Sequence, residues 1–186
     1  ALAGYAISPA GDLNNDGLAD FGVGEPYRNG SITGFPYAGR MYLMYGRSGG
    51  LGNSSLSAAA DAFTEGLASN VLLGYSLSGQ GDLDDDGYQD FGLGGPWPTT
   101  SVGYLMVLPG KSTKYDGYVS SGELFKVQGG LGDAIGSSMA FVGDADGDGI
   151  DDVALAGYGS TQLPPTTNAG VVYFVPGTDN FSTAQT

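Results

Sequence analysis

With 186 residues, 41% of them aliphatic or aromatic, the chain is long enough for one domain with a sizeable core and too apolar to be disordered. Its net charge of −14, from 20 acidic against 6 basic residues, argues against a nucleic-acid partner and disfavours an anionic membrane surface. Cysteine and histidine are both absent, which removes disulfides, thiol chemistry, the usual zinc sites and an imidazole base.

The elements repeat along the chain. Aligned on Gly4, Gly74 and Gly136, three segments read GYAISPAGDLNNDGLADFGVGEP, GYSLSGQGDLDDDGYQDFGLGGP and GSSMAFVGDADGDGIDDVALAGY. Each predicts a short strand, an acidic loop and a second short strand, because Tyr, Val, Phe, Leu and Met runs are bounded by Gly, Pro and Asp. A third strand follows in each copy, at GRMYLMYG (39–46), GYLMVLPG (103–110) and GVVYFVPG (170–177). FTEG (63–66) and FKVQG (125–129) supply a fourth, just ahead of the second and third copies. The units so drawn span about 1–60, 61–122 and 123–186 within a single repeat domain. No window has a convincing 3.6-residue apolar period. The nearest is SSLSAAADAFTEGLA (54–68), which reads as non-helical rather than as a turn of helix. No stretch approaches 18 apolar residues, so membrane insertion is not expected. The residues from Ala1 onward do not read as a leader, as in a mature or excised product.

The loops carry the chemistry. Their pattern is Asp-x-Asp/Asn-x-Asp-Gly-x-x-Asp, with 17 of the 20 acids in the chain being Asp. Calcium takes about six to eight oxygens in a tolerant geometry, and short carboxylates at alternate positions of a tight loop can converge on one centre. The candidate ligands are Asp12, Asn14, Asp16 and Asp20; Asp82, Asp84, Asp86 and Asp90; and Asp144, Asp146, Asp148 and Asp152. Position 7 would add a backbone carbonyl, from Leu18, Tyr88 and Ile150. Gly17, Gly87 and Gly149 stand at position 6, where the chain must turn sharply. An EF-hand fails on spacing, since its position-12 Glu is here Val23, Leu93 and Leu155 and strands flank the loop. Three Ca2+ sites are therefore expected, with a structural role. Magnesium fits poorly because it demands strict octahedral geometry. Asn14 leaves the first site one formal charge short, so weaker binding is expected there. Asp85 and Asp151 fall at non-ligand positions and read as solvent-facing.

An acidic loop followed by FGVGEP or FGLGGP, and then by a GxVYxx-type strand, resembles the FG-GAP repeat of integrin α subunits and related extracellular proteins. The resemblance implies a four-stranded β-propeller blade per repeat, with calcium bound between the first two strands by the Asp and Asn residues named above. The third copy departs from it, having VALAGY where the signature would stand. The fold class is therefore all-β: three four-stranded blades forming a partial or assembly-completed β-propeller-like array, since three blades do not close a ring. The sequence 181–186 followed by 1–8 resembles 125–138, so the termini read as complementary parts of one blade, joined within one chain or between neighbours.

The function expected is a non-catalytic, extracellular, calcium-stabilised module for adhesion or structural assembly. Its partners would be further blades or other copies, or a protein or glycan ligand at the variable loops 27–38, 97–102 and 158–169. Trp97, Tyr27, Tyr37 and Tyr158 could stack on sugars, with packing between blades an equal alternative, whereas Tyr42, Tyr45 and Tyr173 read as core. N-x-Ser sequons make Asn29, Asn53 and Asn180 candidate N-glycosylation sites, and PPTT (164–167) could carry O-glycans. The rival is a calcium-dependent polysaccharide lyase whose base is one of Arg28, Arg40, Arg47, Lys111, Lys114 and Lys126. None of these adjoins a calcium loop in sequence.

Overall fold

A computed structural model describes residues 2–52, 54–96, 102–131, 133–159, 170–179 and 181. The strands are β1 (Ala6–Gly11), β2 (Asp20–Gly24), β3 (Arg40–Met44), β4 (Ala62–Glu65), β5 (Ser76–Gly81), β6 (Asp90–Gly95), β7 (Val102–Leu108), β8 (Gly117–Tyr118), β9 (Phe125–Leu131), β10 (Ile135–Gly143), β11 (Asp152–Gly157) and β12 (Val171–Val175). They form three sheets, ordered β1-β2-β3-β4-β8, β5-β6-β7-β9 and β10-β11-β12. Each acidic loop is the connection of an antiparallel hairpin, β1–β2, β5–β6 or β10–β11. A register shift precedes each loop, at Pro9/Gly11, Gly79/Gly81 and Phe141/Gly143, so the three hairpins share one irregularity as well as one motif.

The strands that stand just ahead of the second and third loops complete the preceding sheets. Ala62–Glu65 pairs with β3, and Phe125–Leu131 pairs with β7. Each of these strands thus joins the sheet that precedes it in sequence. The two-residue β8 pairs in parallel with β4, covering the edge of the first sheet. Three strands form the third sheet among the described residues. The terminal pairing expected from 182–186 and Ala1 falls outside them. Phe181 is described, and its ring stacks on Phe125 at 5.2 Å and 8°.

Two core layers lie between the sheets. Leu13, Met41 and Leu43 of the first unit meet Phe91, Leu93 and Leu108 of the second. Leu83, Leu105 and Val107 of the second meet Ile135, Val153 and Leu155 of the third. Burying each such side chain is worth about 1.5–3 kcal/mol. The outer face of the first sheet, with Val23, Tyr42 and Met44, is covered by Leu51, Leu56 and Ala60. This accounts for a departure from the sequence reading: Leu56–Ala59 is a single helical turn, α1. The apolar surface beneath it supplies what its own sequence lacks. No helix among the described residues is long and apolar enough to cross a membrane.

The Phe-Gly and Gly-Pro signature acquires a steric reason. A Cβ on Gly22 would lie 2.4 Å from the Phe91 ring, and one on Gly92 would lie 1.9 Å from Met139 Cε. At Gly24 it would meet the Gly74 carbonyl oxygen at 1.9 Å, and at Gly94 the Gly136 carbonyl oxygen at 2.3 Å. These glycines let each unit sit directly against the next. In the third unit the same positions are Ala154 and Ala156, on a sheet face with no following unit among the described residues.

Candidate metal centre

Each loop is wound by its own side chains. The position-1 carboxylate accepts two backbone N–H groups across the turn: Asp16 and Gly17 onto Asp12, Asp86 and Gly87 onto Asp82, Gly147 and Gly149 onto Asp144. At position 5, Oδ1 of Asp16, Asp86 and Asp148 accepts the N–H two residues on, at 3.0, 2.9 and 2.9 Å. Gly17, Gly87 and Gly149 have φ of 83°, 87° and 98°, the left-handed turn expected at position 6.

The closing Asp at position 9 is nearly inaccessible in every loop, with Asp20 at 1% and Asp90 and Asp152 at 0% exposure. One of its oxygens accepts the position-2 N–H, from Leu13, Leu83 or Ala145, at 2.8, 2.8 and 2.7 Å. The other accepts an N–H just beyond the third strand, from Gly46, Gly110 or Gly177, at 2.8, 2.9 and 2.9 Å. This residue therefore ties the loop to the sheet. Burial pushes the Asp90 carboxyl up to about 7 and raises Asp20 as well, the neighbouring loop carboxylates adding to the effect. A buried carboxylate among like charges is costly unless a cation accompanies it.

In the second and third loops carboxylate oxygens converge closely enough for such a cation. Asp82, Asp84 and Asp86 each offer an oxygen within 4.8 Å of the others, and so do Asp144, Asp146 and Asp152. At position 3, Asn14 Oδ1 and Asp84 Oδ1 are both buried and accept no hydrogen bond. Oxygens left without a proton donor, in the same position of two loops, are what a hard cation would fill.

The loops also contact one another, which their sequences did not reveal. Gln89 Oε1 accepts the Asp12 N–H at 2.9 Å, and Asp151 Oδ2 accepts the Asp82 N–H at 3.0 Å. Both acceptors occupy position 8 of the following loop. Asp151 is thus a staple between loops, a correction to its reading as solvent-facing, while Asp85 is exposed as expected. Asn15 Nδ2 donates to the Gly87 carbonyl at 2.9 Å, and the Lys111 and Thr178 N–H groups donate to Leu13 and Leu83 at 2.8 and 2.9 Å.

Comparison with known proteins bears on these repeats. Integrin alpha-6 of Gallus gallus is 33% identical over 102 residues, which cover 55% of this chain and 8% of that protein. Integrin alpha-IIb of Mus musculus is 37% identical over 91 residues, 49% of this chain and 8% of that one. The repeats of this chain are similar to the FG-GAP repeats of integrin α subunits. Integrin alpha-V of Gallus gallus is 36% identical over 104 residues, 56% of this chain and 10% of its own. The chain thus spans about a tenth or less of the length of these integrin α relatives. No protein-family model matches the chain.

All six basic side chains are engaged within the molecule. Arg28 pairs with Glu25, Arg47 with Asp61 and Arg40 with Glu65. Lys111 and Lys126 lie over the Tyr115 and Tyr104 rings, at 3.6 and 4.3 Å. Lys114 Nζ reaches Asp16 Oδ2 at 2.9 Å. That contact crosses 98 residues of sequence and sets a basic side chain beside an acidic loop after all.

The loop 27–38 is folded down rather than free. Ser31, Ile32 and Thr33 donate their N–H groups to the Glu65 carboxylate, to which Arg40 also binds. Tyr42 and Tyr45 are core as expected, and Tyr173 packs against the second layer. Tyr27 meets Tyr5 edge-on at 5.9 Å, and Tyr5 lies 4.8 Å from Tyr75. Tyr37 and Tyr158 are about half exposed, at 50% and 54%. Asn29 is exposed and its Oδ1 accepts the Tyr37 N–H at 3.0 Å. Trp97, Asn53, Asn180 and 164–167 lie outside the described residues.

Proposed function

We propose that the chain is a non-catalytic, calcium-stabilised module of a cell-surface or secreted protein, serving adhesion or structural assembly. The observation that carries the reading is the pair of buried position-3 oxygens without donors, set beside buried position-9 carboxylates. Such a site needs a cation, and one tolerant of irregular all-oxygen surroundings, which is calcium rather than magnesium. Asp12, Asn14, Asp16 and Asp20 would hold the first ion, with Asp82, Asp84, Asp86 and Asp90, and Asp144, Asp146, Asp148 and Asp152, holding the others. The carbonyls of Leu18, Tyr88 and Ile150 complete the sets. Bound calcium neutralises the loops and fixes hairpins that otherwise repel themselves.

Calcium is plentiful outside the cell, where carboxylate-rich sites of modest affinity fill. Similarity to integrin α chains supports an adhesive setting. The third sheet supports a partner. Val172 and Phe174 are 72% and 47% exposed there, whereas Leu105 and Val107 at the matching positions of the second sheet are fully buried by the next unit. Further blades of the same assembly, or another copy, suit that face. The lyase alternative is weakened because every candidate base is already paired or stacked.

Thermal melting in calcium and in excess EDTA tests the reading. Calcium at a hundred times its dissociation constant adds about 2.7 kcal/mol per site, so the melt should rise by several degrees or more. A melt that EDTA leaves unchanged would refute it.

A further inference from the structure

The first loop differs from the other two. Its ligand positions carry three carboxylates, where the second and third loops carry four, since Asn14 stands at position 3. In all three, Oδ1 of the position-5 Asp is used inside the loop, which leaves Oδ2 for a cation. In the first loop that oxygen is already taken. Asn14 Nδ2 donates to Asp16 Oδ2 at 3.1 Å, and Lys114 Nζ reaches it at 2.9 Å. Lys114 is itself placed by the Tyr45 ring, 4.9 Å away, and Tyr45 is buried and accepts the Tyr115 N–H at 2.9 Å. Among the described residues neither Asp86 nor Asp148 has an ion pair.

We propose that Lys114 is a built-in counter-ion of the first loop, which competes with calcium for Asp16 and makes this the weakest site, filled last. The inference rests on the calcium reading above. It gives the three loops different tasks. The second and third need the metal to relieve their charge. The first keeps its fold without calcium, because an ammonium group supplies part of the neutralisation, and it responds to calcium at higher concentration. The buried, donor-free Asn14 Oδ1 still provides a ligand once the ammonium withdraws.

Isothermal titration of the metal-stripped chain with calcium tests this through Lys114→Met, which keeps the stem against Tyr45 and removes the charge. Lys114 and Asp16 are partly exposed, so the competition should be worth about two- to fivefold in the weakest dissociation constant. The expected result is that this constant tightens by that factor while the two stronger ones stay within error. The constant that moves should be the one missing from Asp12→Ala. Asn14→Asp should tighten the same site, and Lys114→Arg should leave all three as in the parent. In EDTA, Lys114→Met should melt below the parent. Should the methionine variant fail to fold, Lys114→Gln carries the same expectation. Three constants indifferent to the loss of the Lys114 charge would overturn the inference alone. No calcium binding by the parent would overturn the reading beneath it.

Discussion

Glu65→Gln is the sharpest test of how the first sheet is closed. Glu65 is 1% exposed and accepts hydrogen bonds from Arg40, from three backbone N–H groups and from the Ser31 hydroxyl. Burial alone would raise its carboxyl, but Arg40 and the three N–H groups outweigh it and hold the group down at about 2, against an ordinary 4.5. A depressed folded-state value stabilises the fold above pH 4.5, and that stabilisation is lost as the pH falls toward 2. The difference corresponds to about 3 kcal/mol at neutral pH. Removing the charge also leaves Arg40 buried, 4% exposed, without its counter-ion. In saturating calcium, urea unfolding at pH 7 should therefore find the variant about 3 kcal/mol less stable. The gap between parent and variant should shrink steadily below pH 4.5. A gap under about 0.5 kcal/mol at pH 7, the usual range for inconsequential surface changes, would refute the reasoning, as would one that does not change with pH.

Two further substitutions probe the contacts between units. Gly94→Ala puts a methyl 2.3 Å from the Gly136 carbonyl oxygen and should cost about 1–3 kcal/mol in chemical denaturation, while Gly49→Ala, with nothing within 4 Å, should be nearly neutral. Gln89→Ala leaves the Asp12 N–H without its acceptor; it should cost about 0.5–1.5 kcal/mol and weaken calcium at the first loop, read by titration, more than at the second.

The loops were legible because their chemistry is local. Alternating Asp at fixed spacing, with glycine at the turn, specifies a tight acidic loop before any tertiary contact is known, and hydrophobic runs bounded by Gly and Pro specify the strands. The glycine signature was legible as a pattern, but its cause was not. Gly22 and Gly24 are needed by Phe91 and Gly74, which lie about one whole unit away in sequence. The contacts of Lys114 with Asp16, Gln89 with Asp12 and Asp151 with Asp82 escaped for the same reason. They join residues 69 to 98 positions apart and depend on how units stack. The helical turn at Leu56–Ala59 was missed because the sheet face it covers decides it, not its own periodicity. The sheet that Ala62–Glu65 joins was not legible, because a strand's sequence does not say which neighbour it will pair with.

Calcium stoichiometry is the most direct test of the whole account. The metal-stripped chain, dialysed against millimolar calcium and assayed by elemental analysis, should hold about three ions, as expected for three loops of this ligand type. Asp90→Ala and Asp152→Ala should each lose about one, and the same concentration of magnesium should not fill the sites. A chain that retains no calcium would contradict the account.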